Sequence, residues 1–321
     1  MKKKEKQKCK RIHTLWKAIE MEIREHKSSF MVYLTLRLLV ILVMILQILN
    51  RNYENVFLCI LTLALMIMPS IVQVTFKVEL PTTLEIIILC FIFSAEILGE
   101  INEFYLIFPF WDTVLHTLNG FLAAAIGFSM VDLLNQSEKV KFHLSPLFLA
   151  IVAFCFSMTI GVVWEFFEFF MDMFVGYDMQ KDTIIHTIRS VALNPDGKNV
   201  PVTIDHIQDV LVNGQSLDLG GYLDIGLIDT MIDLFVNFIG ATIFSIIGFF
   251  YVKKRGQGEI ARRFIPHMKK ADRDFLKIVK EEEEQKVLKE QEERDIKRIF
   301  LYRKKGSRYN KKTMKRHGKE R

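Results

Sequence analysis

Between Phe30 and Val252 the chain carries repeated apolar runs of about 20 residues, the length a helix needs to cross a hydrocarbon core of about 30 Å. No other feature restricts the fold so strongly. Six such runs lie near residues 30–49, 55–76, 80–99, 112–134, 146–174 and 226–252. The alternation a barrel needs is absent, so backbone hydrogen bonding in lipid requires helices. The expected fold class is all-α: a polytopic bundle of six transmembrane helices over residues 30–252. A basic amphipathic arm (1–29) precedes it and a charged helical cytoplasmic tail (253–321) follows.

Charge gives the direction. From Phe30 to Val252 there are 8 Lys+Arg against 21 Asp+Glu, while the two ends together hold 35 basic and 16 acidic residues. This partition excludes a soluble globular enzyme, a disulfide scaffold and a disordered chain. With both termini inside, the inner segments take the ten basic residues of the arm, Lys77, Lys139, Lys141 and the 25 of the tail. The outer segments then keep only Arg51, Lys181, Arg189 and Lys198, which is the positive-inside pattern. Cys9, Cys59, Cys90 and Cys155 form no disulfide or metal motif and read as small hydrophobes or an isolated thiol. No cleavable signal peptide is expected, because the first apolar run begins only at Phe30 and is long enough to span.

The flanks are polar. Ile12, Leu15, Trp16, Ile19 and Ile23 share one helical face, suiting either a helix in the headgroup plane or an extension of the first span. Met268, Phe275, Ile278 and Val279 begin a heptad-like stripe that fails within two repeats, so no coiled coil is expected. The last 21 residues hold ten basic side chains and one acid, Glu320, as expected of a solvated tail near anionic lipid. Nucleic-acid contact through Tyr302 and Tyr309 is not the expected use. The outer loop, residues 176–224, reads as a small α/β element. A helix is expected around 180–190, then a hairpin or meander from Val200–Ile204, Val210–Val212 and the turn Asn213-Gly214.

Charges within spans need partners. Arg37 and Glu85 are expected to pair near the inner surface. Three segments share Asp-Thr-apolar-apolar-(His or Asp): Asp112–His116, Asp182–His186 and Asp229–Asp233. Positions i and i+4 share a helical face, and Asn237 continues the third face. Glu165 and Glu168 add an i,i+3 pair in the fifth span. Asp is a favoured N-cap, which accounts for the Asp-Thr starts but not for an ionisable group four residues later. Carboxylates packed together need a cation or protons to neutralise them. A divalent metal held by His116, Asp229, Asp233 and Asp112 is one solution, a proton or monovalent-ion relay is a second, and a hydrogen-bonded structural core is a third.

The ordered set Asp112-x3-His116-x2-Asn119-Gly120, Glu165-x2-Glu168 and Asp229-Thr-x2-Asp233-x3-Asn237-x2-Gly240-Ala241 resembles the YjdF-like bacterial membrane proteins. More distantly it is similar to the VanZ-like proteins linked to glycopeptide tolerance, which also combine a helix-borne His, a Glu and an Asp/Asn helix ending in small residues. The resemblance covers roughly residues 85–252. It implies a bacterial cytoplasmic-membrane location and no particular activity. The large outer loop departs from the compact VanZ pattern.

Two function classes follow. In the first, a membrane-embedded, metal-assisted hydrolase or transferase acts on a lipid or envelope precursor. Glu165 or Glu168 is then the general base, His116, Asp229, Asp233 and Asp112 the ligands, and Asn119 and Asn237 polar orienting groups. Asp182 and His186 would cap the site from the loop. In the second, a proton- or ion-coupled transporter uses Glu165, Glu168 and Asp233 as protonation sites, although no inverted repeat is visible. A non-catalytic membrane scaffold is the remaining alternative. Gly240, Ala241, Ser245 and Gly248 permit close helix approach, within one chain or between chains of an oligomer.

Overall fold

The computed structural model describes residues 2–25, 27–135, 144–254 and 262–294. The expectations placed on Lys139, Lys141, Tyr302, Tyr309 and the last 21 residues lie outside these. Two compact units emerge. One gathers the described parts of Met1–Phe30, Ser70–Val78 and Lys269–Arg321; the other takes in Met31–Pro69 and Glu79–Met268.

The larger unit is helical, and among the described residues of the chain five helices are long and apolar enough to cross a membrane. They are Ser28–Leu49 within α2 (Lys27–Leu49), Tyr53–Phe76 formed by α3 (Tyr53–Leu65) and α4 (Met68–Phe76), and three helices extending over Trp111–Asn135, Pro146–Val175 and Leu227–Lys253. Membrane residence follows from these apolar helices. The sixth expected span differs. Residues Thr82–Phe93 (α5) form only 12 residues of α-helix, a rise of about 18 Å, before the chain widens into a π-helix over Ser94–Ile101. A one-turn helix, α6 (Phe104–Ile107), then packs Phe104 edge-on against Phe108 and Trp111, with ring centroids 4.8 and 4.9 Å apart.

The centre of this unit is the trio α7 (Trp111–Asn135), α8 (Pro146–Phe170) and α9 (Leu227–Lys253). Ser145 caps α8, its hydroxyl accepting from the Phe148 N–H, and Pro146 takes the first helical position, where its missing N–H costs nothing. A π-helical turn, Met171–Val175, prolongs α8 until Gly176, at φ 86°, ends it. Gly226, at φ 75°, supplies the left-handed residue from which α9 starts. Ala124, Ala125, Phe128, Leu149, Ala153, Ala241 and Phe244 form the core, and Phe121 and Phe128 meet Phe244 edge to face. Large apolar side chains such as Leu38, Phe57, Ile151 and Phe235 remain exposed on the outside, the surface expected against lipid.

The 176–224 loop carries three short antiparallel pairs and no helix at 180–190. Ile184–Ile185 pairs with Tyr222–Leu223, Ile188–Ser190 with Val202–Ile204, and Leu211–Val212 with Gln215–Ser216. The last is a two-residue hairpin in which Asn213 and Gly214 both take positive φ, 52° and 81°. β-Branched residues at 183–185 and 188 outweigh the Asp182/His186 spacing that suggested a helix.

In the smaller unit, α1 (Lys2–Glu25) is a helix whose buried face differs from the apolar stripe read from sequence. Ala18, Ile19, Thr14 and Glu22 are buried, whereas Ile12 and Trp16 are exposed. Residues 275–294 are helical and bury Phe275 and Val279. Lys269 forms a buried ion pair with Glu22, Lys77 binds Asp274 at 2.7 Å, and Lys17 binds Glu282 at 2.8 Å. The expected Arg37–Glu85 pair gives way to another arrangement. Arg37 donates to the Tyr33 hydroxyl one turn away and lies 5.5 Å over that ring, a local partner already on its own helical face.

Candidate functional site

Small residues let the three central helices meet backbone to backbone. A Cβ on Gly120 would lie 2.2 Å from the carbonyl oxygen of Asn237, and one on Gly240 would lie 2.0 Å from that of Thr117. Both contacts are within the chain, so Gly240 serves packing of α9 on α7. Gly161 on α8 leaves room for the Asn237 amide, whose nitrogen would be 2.7 Å from a Cβ there. Ser157 donates to the Gly120 carbonyl at 2.7 Å, Asn237 donates weakly to the Ser157 carbonyl at 3.4 Å, and the Asn119 amide approaches Asn237 Oδ1 at 3.5 Å. This polar layer ties α7, α8 and α9 together and forms the floor of the site.

One helical turn from Asn237, Asp233 is 2 % exposed, with His116, Glu165 and Glu168 at 8, 5 and 7 %. Ligand atoms of these four residues all lie within 4.8 Å of one another. His116 Nδ1 is 3.8 Å from Glu165 Oε1, and its Nε2 is 3.5 Å from Asp112 Oδ1 and 4.0 Å from Asp233 Oδ2. A second set, Asp112, Asp229 and Asp233, satisfies the same 4.8 Å limit. The residues assigned from sequence as ligands and as bases thus fall into two overlapping groups, with Asp233 in both. Asp112 and Asp229 lie inside the first turns of α7 and α9 rather than at the capping position, where a carboxylate favours the helix dipole.

Oε2 of Glu168 and Oδ2 of Asp233 are buried here without a hydrogen-bond partner, and the oxygens of Glu165 make no close bond although Gln180 and Thr230 lie beside them. Glu168 Oε1 is held by the Trp164 indole N–H at 2.9 Å. Gln180 and Thr230, neighbours of Glu165, are bonded to one another at 2.6 Å. Orphaned buried carboxylates are costly, so their concentration at one point calls for a cation or protons to neutralise them.

The start of the 176–224 loop closes over the rim through carboxylates. Asp229 Oδ2 accepts from the Lys181 N–H at 2.7 Å, Asp172 accepts from the N–H groups of Met179 and Gln180, and Asp224 accepts from those of Thr183 and Ile228. Sequence reading passed over Asp172 and Asp224, whose only signal was an acid beside a turn. Asp182 and His186 belong to neither cluster. Asp182 is exposed, and partial burial, then Asp178, Asp224 and Asp172 against an opposing Gly226 N–H, raises its carboxyl above the ordinary value. His186 is also exposed, with Nδ1 3.1 Å from the Ile207 carbonyl oxygen.

Distances of 3.5–4.0 Å exceed an N–H···O bond, typically about 2.7–3.2 Å. Tetrahedral ligands bonded to one cation at about 2.1 Å lie about 3.4 Å apart. The Asp112 contact is near that spacing, while those of Glu165 and Asp233, made by opposite nitrogens of the ring, are wider and would have to close on an ion. Imidazole with carboxylates, and no thiolate in either set, suits a borderline or hard divalent ion.

A family model described as "Predicted membrane protein (DUF2238)" matches residues 31–254, taking in the first two spans as well as the motif region. No curated protein and no solved structure matches the chain, and nothing in these comparisons extends the likeness to VanZ-like proteins.

Proposed function

The chain belongs to the DUF2238 family of predicted membrane proteins, the YjdF-like family, and on that premise we propose that it is a metal-assisted, membrane-embedded hydrolase or transferase. The observation that carries this reading is the buried meeting of His116, Glu165, Glu168 and Asp233 from three helices, with carboxylate oxygens left unpartnered. His116, Glu165 and Asp233 would hold the cation, with Glu168 beside them within the same reach. When bound, such an ion polarises a carbonyl or phosphoryl oxygen and lowers the pKa of a bound water. Glu168, fixed at one oxygen by Trp164 and free at the other, takes the proton. Asn119 and Asn237 hold the floor in register. The substrate is a lipid or envelope precursor, reached from the loop side.

The setting belongs to the same proposal. Residues 82–101 cross as a sixth span, both termini lie in the cytoplasm of a bacterial cell, and the site opens outward beneath the 176–224 loop. Basic-residue asymmetry supports this direction. A second reading, a proton- or ion-coupled transporter, draws on one observation: both nitrogens of His116 face carboxylates, an arrangement that can relay a proton.

Metal analysis of the full chain purified in detergent separates the two. The metal reading expects at least one divalent ion per chain, reduced at least about tenfold in His116→Ala and Asp233→Asn and retained in His186→Ala. An ion-free protein after loading with zinc and manganese, taking up protons in a His116-dependent way, would replace it with the transporter reading.

A further inference from the structure

The site gathers more carboxylates than one cation needs as ligands. Asp112, Asp229, Asp233, Glu165 and Glu168 place five carboxylates in two sets that touch at Asp233. Fully ionised they carry five negative charges, of which one divalent ion compensates two and a pair four; bound protons are the alternative neutraliser. The protein supplies little of its own in their place. Lys181 gives Asp229 its backbone N–H but turns its ammonium to Asp178, at 3.5 Å from that carboxylate. His116 offers two nitrogens, and they face opposite ways: Nδ1 toward Glu165, Nε2 toward Asp112 and Asp233.

Resting on the metal reading above, we propose that the centre is binuclear: Asp233 bridges one divalent cation held with His116 and Glu165 to a second held with Asp112 and Asp229. A carboxylate has two oxygens and can ligate two ions at once, as paired-metal centres with ions about 3.5–4 Å apart require. Asp233 suits that role on grounds independent of the acidic cluster. It is 2 % exposed, so it is fixed by packing, and its Oδ2 is buried with no hydrogen-bond partner. It is also the residue on which the stripes of α7 and α9 converge. The two ions differ in access. The first is enclosed by residues that are all buried, whereas Asp112 and Asp229 are half-buried, leaving the second ion open toward the loop side for an incoming oxygen ligand. The ligand chemistry differs too: the first set includes an imidazole, while the second is all oxygen and suits a harder ion such as manganese or magnesium.

The test is stoichiometry. The detergent-purified full chain is stripped with chelator, loaded with Mn2+, desalted and assayed for manganese per chain, with spin coupling between ions read by electron paramagnetic resonance. Two ions per chain and a coupled spectrum are expected for the unaltered protein. Asp229→Asn and, separately, the more accessible Asp112→Asn should halve the content and abolish the coupling while leaving the elution volume unchanged. One ion per chain in the unaltered protein, with no coupling, overturns the binuclear inference and leaves the single-metal reading standing. No retained ion removes both. Two uncoupled ions, unaffected by either Asp variant, also overturn it, because the second would then lie elsewhere.

Discussion

His116 shows how a single residue acquires meaning from its surroundings. In sequence it is one member of an i,i+4 pair that a helix cap half explains; in the structure its two nitrogens look into carboxylates from α8 and α9. That the position is polar and on one face with Asp112 was legible. Which carboxylates would meet it was not, because the partners lie more than 45 residues away in the chain. The Arg37 expectation failed for the opposite reason: a tyrosine four residues back on its own helix takes the guanidinium. The deeply buried ion pair among the described residues is instead Glu22 with Lys269, both side chains 2 % exposed. Glu22→Ala should cost roughly 3–5 kcal/mol, since Lys269 is left charged and buried, and joint replacement by Leu and Met should recover much of it. Equal losses in single and double variants, measured by thermal unfolding, would show that the pair is not coupled. Asp274 gives a pH signature. Burial opposes its charge, but hydrogen bonds from Lys77 and the Lys277 N–H outweigh that and hold its carboxyl below the ordinary value. Its contribution is therefore complete above the ordinary carboxylate range, about pH 4, and disappears as pH falls through the lowered folded value. The acid limb of a stability profile should flatten in Asp274→Asn; an unchanged limb contradicts this.

Among elements, the helices and the strands were legible to different degrees. Apolar runs fixed α7, α8 and α9 closely, and the Asn213-Gly214 turn marked its hairpin. The π-helical stretch after α5 left no periodic trace, since widening a helix by one residue per turn alters hydrogen bonding without altering composition. The Asp182/His186 spacing misled because i,i+4 identity says nothing about backbone state; β-branched neighbours decided it. The decisive element contact is α7 with α9, where Gly120 and Gly240 let backbones touch. Gly120→Ala places a methyl against a carbonyl that cannot rotate away, so it should destabilise by about 1–3 kcal/mol or more and widen the site. Gly197→Ala, in open space on the loop, is the control for added bulk, although its φ of 66° adds local strain. If Gly120→Ala melts as the unaltered protein does, the close crossing is wrong.

For the molecule as a whole, membrane residence was plain from the sequence and the number of crossings was not. Among the described residues five helices meet the length and hydropathy requirement, and residues 82–101 decide between odd and even topology. Single cysteines at 78 and 103 should label from opposite sides if that segment crosses, and from one side if it does not. A reporter at residue 200 is expected outside, with those at 140 and 260 in the cytoplasm; a cytoplasmic signal at 200 would invert the site's access. Orientation and metal occupancy are separable, and the chemistry depends on occupancy. The most direct measurement is an anomalous difference map from crystals of the full chain grown with Mn2+. A peak is expected within bonding distance of a His116 nitrogen, Glu165 and an Asp233 oxygen, each about 2.0–2.2 Å away. Manganese found only at surface carboxylates, with His116 hydrogen-bonded directly to Glu165 or Asp233, would contradict it.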